Sequence, residues 1–443
     1  MRKLSVDTVL RVRIKHRVGQ LAKVATAIAE EGGLLGDIVT LGIGSEDTFR
    51  EITVETESDE QAARVVDAVR RVDGIEVAGV ADRVFEAHKG GKIHSRSRVT
   101  VEQVRDLRTI YTPGVARVVR ELQRDPTRAF ELTSLGNSVG IFTNGTRVLG
   151  LGDTGALASL PVMEGKAVIY DLFAGVSATP ILVDTRDPEE FVRIVERIAG
   201  SFGGIHLEDI RSPDCYFIED QLKARLQKPV MHDDQHGTAT VALAATINAC
   251  RLILRELKNA VVGQIGLGAA GSAIARLIIS YGVREVLVTD PSPVALERMV
   301  GFGARAVDLP TLLGEADVVI ATSGRPGLIQ ASQIKKGQVV LALSNPDPEI
   351  DPDTAVAAGA AYASDGRSIN NALAFPGLFA GAFRARSRAI TPEMLIEAAT
   401  TLAGLAEPGE LVPSPLMKQV HAEVASAVAA RAREIGLEGT ARP

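Results

Sequence analysis

Two pairs of adjacent carboxylates carry the clearest chemical signal: Glu208-Asp209 closes the run "GIHLED", and Asp233-Asp234 closes "KPVMHDD". Side-by-side acids repel unless a cation, a base or water takes up their charge. In an open α/β sheet, ligands bind beyond the carboxyl ends of strands. Two strands ending in acids would therefore bring three or four carboxylates to one rim, and all-oxygen ligation of that kind suits Mg²⁺ or Mn²⁺. Lys166 sits in the mostly apolar "PVMEGKAVIY". Half-buried there, its pKa would be lowered by desolvation and it could serve as a base; a stem that snorkels to water is the plainer alternative. Tyr111 in "LRTIYTPGVA" precedes Pro113-Gly114, where a turn could expose its phenol. A core tyrosine with a satisfied hydroxyl is the other reading.

A second signal is "NAVVGQIGLGAAGSAIARLIISYG", with Gly266, Gly268 and Gly271 in G-x-G-x-x-G spacing between an apolar strand and a helix. Glycines there let the backbone approach a pyrophosphate at the helix N-terminus. The next apolar run, "REVLVTD", ends in Asp290, placed to bond the ribose hydroxyls of an adenosine. Pro291, Ser292 and Pro293 supply no cation for a 2′-phosphate, which favours NAD over NADP.

The elements that would position these groups follow from hydrophobic period. In "TVLRVRIK", Leu10, Val12 and Ile14 alternate with basic residues, as in a half-buried strand. "HRVGQLAKVATAIAEEGG" then switches to helical period, and two strand-like runs, a second helix and "IEVAGV" complete β-α-β-β-α-β. That order predicts a ferredoxin-like unit over 1–86. Residues 85–98, "FEAHKGGKIHSRSR", read as a basic linker. Beyond it, short apolar runs alternate with helices such as "DPEEFVRIVERIAGSF", which predicts a mainly parallel α/β sheet over 87–236. A Rossmann-type domain with C-terminal helices is expected over 237–443. Its first helix would open near Gly237-Thr238.

Composition narrows the class. The chain has 443 residues, 46% hydrophobic and 23% charged, with formal charge −6. These are values of a globular protein with no electrostatic claim on nucleic acid or an anionic membrane. Cys215 and Cys250 are too few for a disulfide framework, which suits a reducing cytoplasm. "MRKLSVDTVLRVRIKH" has charges where a secretory leader needs apolar residues. No apolar run reaches the roughly 18 residues that a membrane helix needs.

Taken together, "YTPGVA", "TRVLGLGD", "PVMEGKAV", "HLED", "HDDQHGTA", "IGLGAAG", "ALSNP" and "NNALAFPG" resemble the malic enzymes, in the same order, across roughly 90–443. The resemblance implies oxidative decarboxylation of L-malate to pyruvate and CO₂, with a nicotinamide cofactor and a divalent cation. It makes Tyr111 the general acid, Lys166 the general base, and Asp233 a neighbour that tunes the lysine. Glu208, Asp209 and Asp234 would hold the metal. Arg147 would grip a malate carboxylate, and Asn345, Asn371 and Asn370 would bond the substrate. The family often has Asn where this chain has His232. The unit over 1–86 resembles an ACT domain, which implies an amino-acid effector near Gly19 or, alternatively, a module that only dimerises. Homo-oligomers are expected on the same grounds. Malolactic chemistry, which releases lactate, and a non-catalytic nucleotide-bound sensor are the competing readings.

Overall fold

The computed structural model describes residues 6–148 and 150–443. Residues 1–5 and Leu149 of "TRVLGLGD" lie outside the described residues. The chain divides into two compact units, Met1–His94 and Ser95–Pro443.

In the first unit, β1 (Val6–Lys15), β2 (Leu34–Ile43), β3 (Asp47–Thr56) and β4 (Ile75–Asp82) form an antiparallel sheet in the order β2-β3-β1-β4. Helices Gln20–Glu30 and Asp59–Arg70 cover one face. Leu10, Val12 and Ile14 point inward from β1, as their alternation requires, and meet Val24, Ile28, Val65 and Val69 of the helices. This is the ferredoxin-like order. Ser58 caps the second helix by accepting from the Gln61 N–H. The stretch read as a linker from residue 85 begins instead inside a helix, Arg83–His88. Asp82 caps it, accepting from the Val84 and Phe85 N–H groups.

The second unit holds two parallel sheets. One joins β5 (Ser138–Thr143), β6 (Ser177–Leu182), β7 (Gly204–Leu207) and β8 (Val230–His232) in the order β6-β5-β7-β8. The other contains β9 (Val261–Ile265), β10 (Glu285–Thr289), β11 (Arg305–Ala306), β12 (Val318–Ala321), β13 (Val339–Ala342) and β14 (Tyr362–Asp365). Its order, β11-β10-β9-β12-β13-β14, is that of a Rossmann sheet, with the strand before the glycine turn at the point where the order reverses.

Helix Asp233–Leu252 ties the two sheets together. It starts at Asp233, four residues before the expected Gly237, because acids are favoured in the first turn, where the free N–H groups and the helix dipole are positive. The helix runs straight through position 236, so no break separates a catalytic from a nucleotide-binding part there. Ala239 to Cys250 are buried, and the surrounding core continues from β5 to the C-terminal helices Pro392–Leu405 and Lys418–Glu434. Each large apolar side chain so buried contributes about 1.5–3 kcal/mol. Among the described residues, no helix is long and apolar enough to cross a membrane.

Candidate active site

Parallel pairing sets Leu207 of β7 beside His232 of β8, so the acids that follow each strand meet at one sheet edge. Glu208, Asp209 and Asp233 are at most 3% exposed. The Asp209 N–H donates to Asp234 Oδ2 at 3.0 Å. Asp209 itself has φ +54°, a left-handed backbone that costs a non-glycine residue about 1–3 kcal/mol and tends to persist at functional sites.

Lys166, on helix Ala156–Ile169, reaches into this cluster. Its ammonium bonds Asp233 Oδ2, lies 3.2 Å from Glu208 Oε1, and sits 4.6 Å above the Phe375 ring. The expectation of a lowered lysine pKa is overturned. Burial pushes the ammonium toward neutrality, but Asp233, Glu208 and Asp234 outweigh it and hold the group above its ordinary range. The acids respond in the opposite sense. Burial raises Asp233 to about 6, Glu208 to about 7 and Asp209 to about 8, with neighbouring acids adding to the rise and Lys166 opposing it.

Four carboxylates thus share one ammonium. Glu208, Asp209 and Asp234 each offer an oxygen within 4.8 Å of the others, and Asp209 Oδ2 is buried without a hydrogen-bond partner among the described residues. This donor set fits a hard divalent cation. A second grouping of His206, Glu208 and Asp233 is already occupied internally, since His206 Nε2 bonds Glu208 Oε2 at 2.6 Å and Lys166 bonds Asp233.

Residues missed in the sequence hold this arrangement. Glu219 of helix Asp214–Arg225 accepts from the His232 N–H at 2.9 Å, and bonds Gln235, His236 and Lys223. It pins the turn that presents both aspartates. Burial would raise its pKa, but His236 and Lys223 hold it well below the usual carboxylate range. The signal was available in "QHG", where His236 follows the acids by half a turn.

The substrate-loop residues divide. The Arg147 N–H donates to Asp209 O at 3.0 Å, so that loop is laced to the acid cluster while the Arg147 side chain is exposed. Asn371 also belongs here. A β-carbon on Gly237 would lie 1.9 Å from Asp233 Oδ1 and 3.4 Å from the Asn371 Cβ, which explains the glycine and places the asparagine beside Asp233. Asn370 is exposed, and its Oδ1 accepts from the Ala372 N–H at 2.9 Å. Asn345 is exposed beyond β13. Tyr111 is not gathered into the buried cluster. It ends helix Val104–Ile110, and its side chain is 70% exposed.

The glycine turn follows β9. Gly266 has φ +85°, and a β-carbon on Gly271 would lie 1.9 Å from Gly266 O. Among the described residues, nothing lies within 4 Å of the corresponding position on Gly268, which leaves the backbone open to a ligand. Asp290 buttresses the turn as well as lining it: Oδ2 accepts from the Leu267 N–H at 2.7 Å and Oδ1 from the Ser292 N–H at 2.8 Å. The adjoining cleft of about 720 Å³ is lined by Gly266, Asp290, Pro291, Asp308, Leu309 and Arg325. Arg325 is a cation in that cleft which the stretch after Asp290 did not reveal.

A Rossmann sheet with an open glycine turn, sharing one core with a buried lysine–carboxylate cluster, defines a dinucleotide-dependent enzyme of the α/β class. Residues 91–223 match the malic enzyme N-terminal domain and 363–434 the malic enzyme NAD-binding domain, while 233–336 match the NAD-binding domain of D-isomer specific 2-hydroxyacid dehydrogenases. NAD-dependent malic enzyme 1 of Bacillus subtilis is 50% identical over 412 residues, spanning 93% of this chain and 94% of the relative. The NAD-dependent malic enzyme of Geobacillus stearothermophilus is 37% identical, spanning 98% and 96%. The crystal structure of the malic enzyme from Pyrococcus horikoshii superimposes with TM-score 0.76 at 38% identity, over 81% of this chain and 92% of that one. The chain belongs to the malic enzyme family.

Proposed function

We propose that this chain oxidatively decarboxylates L-malate to pyruvate and CO₂ with reduction of NAD, at the cluster of Lys166, Glu208, Asp209, Asp233 and Asp234. The observation that carries the reading is the buried Lys166 ammonium, 3.2 Å from Glu208 and bonded to Asp233, beside three acids whose oxygens converge. When bound, NAD would take the C2 hydride of malate, and Mg²⁺ or Mn²⁺ on Glu208, Asp209 and Asp234 would polarise the C2 oxygen and steady enolate charge. Lys166 then takes the C2 hydroxyl proton, with Asp233 holding its amine in place. Its raised pKa makes the charge of the surrounding acids part of the chemistry, because neutralising them is what frees the lysine to act as a base. Arg147, Asn371, Asn345 and Asn370 would orient the substrate carboxylates, the arginine through its planar fork.

Tyr111 is assigned the proton that returns to C3. Its helix and the following one, Val115–Arg124, bury no side chain and leave Val104, Leu107, Ile110 and Val119 exposed. An apolar face of this kind supports a homo-oligomer, and the tyrosine's part in turnover rests on how that face is covered. Tyr111→Phe is expected to lower malate turnover by about 10²–10⁴-fold while NADH binding, followed by NADH fluorescence, stays native. Native turnover in this variant would remove Tyr111 from the acid role.

Asp290 supports NAD as the cofactor. Asp290→Ala is expected to raise the KM for NAD more than that for NADP, since an acid that accepts from the ribose 2′-hydroxyl repels a 2′-phosphate. Equal changes would show that the aspartate only buttresses the Leu267 turn.

The first unit is read as regulatory. Gly19 holds φ +83° at the entry to helix Gln20–Glu30, and the buried Gln20 beside it has an Oε1 without a hydrogen-bond partner among the described residues. An unsatisfied acceptor at that turn supports an amine-bearing effector such as an amino acid, tested by a thermal-shift screen on the full chain. The activity itself is tested by assaying malate plus NAD with and without Mn²⁺. Pyruvate and NADH formed together support the malic reading; lactate without net NADH supports the malolactic one, and neither would leave a sensor.

A further inference from the structure

We propose that Tyr170 and His206 are a positioning pair that fixes the proton on His206 Nε2 and thereby the orientation of the Glu208 carboxylate. The inference rests on the reading of Glu208 as a cation ligand. The three groups form one buried line: Tyr170 Oη lies 2.9 Å from His206 Nδ1, and His206 Nε2 lies 2.6 Å from Glu208 Oε2. The other oxygen, Oε1, faces Lys166 at 3.2 Å. Tyr170 and His206 are fully buried, and they pack among aromatic rings. Phe375 lies 4.8 Å from the Tyr170 ring, and Phe379 stacks on His206 at 6.0 Å.

The direction of each hydrogen bond follows from what the groups can donate. A buried phenol that leaves its O–H without an acceptor gives up its hydrogen bond to water and regains none. Among the described residues, His206 Nδ1 is the one acceptor in hydrogen-bonding distance of the Tyr170 hydroxyl. Tyr170 therefore donates to Nδ1. A neutral imidazole with an acceptor at Nδ1 carries its proton at Nε2, and that N–H points at Glu208 Oε2. The opposite tautomer would set a nitrogen lone pair against a carboxylate oxygen and turn Glu208 away.

Tyr170 and His206 thus hold one oxygen of the ligand while Lys166 faces the other. Partners of this kind typically change metal affinity by about 10–100-fold when lost.

The test is Mn²⁺ binding to the full chain without substrate, read by the EPR signal of free Mn²⁺. Tyr170→Phe keeps the ring and loses the donor; its Mn²⁺ Kd is expected to rise about tenfold with NADH binding unchanged. His206→Gln supplies an amide N–H whatever Tyr170 does, so it is expected to bind Mn²⁺ more tightly than His206→Leu. Adding Tyr170→Phe to His206→Gln should then cost nothing more. Native affinity in Tyr170→Phe overturns the proposal, and so does an equal loss in both backgrounds, because the hydroxyl would then not act through the ring. Should Tyr170→Phe fail to fold, equal Kd values for the Gln and Leu variants would overturn it. Asp234→Asn separates the two ideas: if it weakens Mn²⁺ binding while Tyr170→Phe does not, the cation site stands and the positioning pair falls. A wild-type chain that binds no Mn²⁺ overturns both.

Discussion

Lys166→Ala is expected to lower malate turnover by about 10²–10⁴-fold while leaving NADH binding within a factor of two. The lysine is on helix Ala156–Ile169 and the glycine turn follows β9, so the nucleotide cleft keeps all of its lining residues. What the variant loses is the group proposed to take the C2 hydroxyl proton, together with the positive charge that Asp233 and Glu208 share. Those two losses are separable. Lys166→Arg keeps a positive charge, but a guanidinium does not deprotonate at working pH. If the lysine is a base, the arginine variant is nearly as slow as the alanine one. If it serves only to neutralise Asp233 and Glu208, the arginine variant recovers most of the rate. Steady-state rates from NADH absorbance, with Mn²⁺ saturating, distinguish these outcomes. Recovery to within tenfold of native by Lys166→Arg would sink the base assignment.

Much of the fold could be read because it rests on local period. The alternation of Leu10, Val12 and Ile14 and the stripe of Ala62, Val65 and Val69 put the right faces inward in the first unit. The glycine spacing at 266–271 likewise encodes a steric requirement that the backbone then shows. The acid pairs were legible as strand-end groups, since each closes a short buried strand. What the sequence could not show depends on contacts between distant segments. Burial alone predicts a lowered pKa for Lys166, but the shift runs the other way because Asp233 and Glu208, far along the chain, supply opposing charge. Glu219 anchors the turn before Asp233 from a different helix, so its role shows only once His236 and the His232 N–H are brought to it by the fold. His206 and Tyr170 did leave signals. His206 and Glu208 are two apart along one strand edge, which places them on the same face, and Tyr170 follows Lys166 by one helical turn. Tyr111 shows the limit from the other side: its motif is intact, but the helix that carries it packs against little within one chain.

The cation-free protein is expected to lose thermal stability as pH rises from about 6 to 8, and Mn²⁺ is expected to restore it increasingly over the same range. Burial, followed by neighbouring acids, raises Glu208 to about 7 and Asp209 to about 8, against ordinary values of 4.5 and 3.8. Between the ordinary and raised values the folded chain keeps protons that the unfolded chain has already released. Stability therefore falls with rising pH through that window, because the native state binds more protons than the unfolded one. Above about pH 8 both carboxylates are charged in the fold, and the whole penalty is present. A divalent cation changes the balance. Protons and metal compete for the same oxygens, so metal binding releases protons and tightens as pH rises. With one or two protons displaced, affinity is expected to be on the order of 10–100-fold higher at pH 8 than at pH 6. Melting curves with and without Mn²⁺ at each pH read both effects, and calorimetry in buffers of different ionisation enthalpy counts the protons released. A Mn²⁺-induced Tm shift of the same size at pH 6 and pH 8, with no proton release, would mean that Glu208 and Asp209 are not the groups that bind the ion.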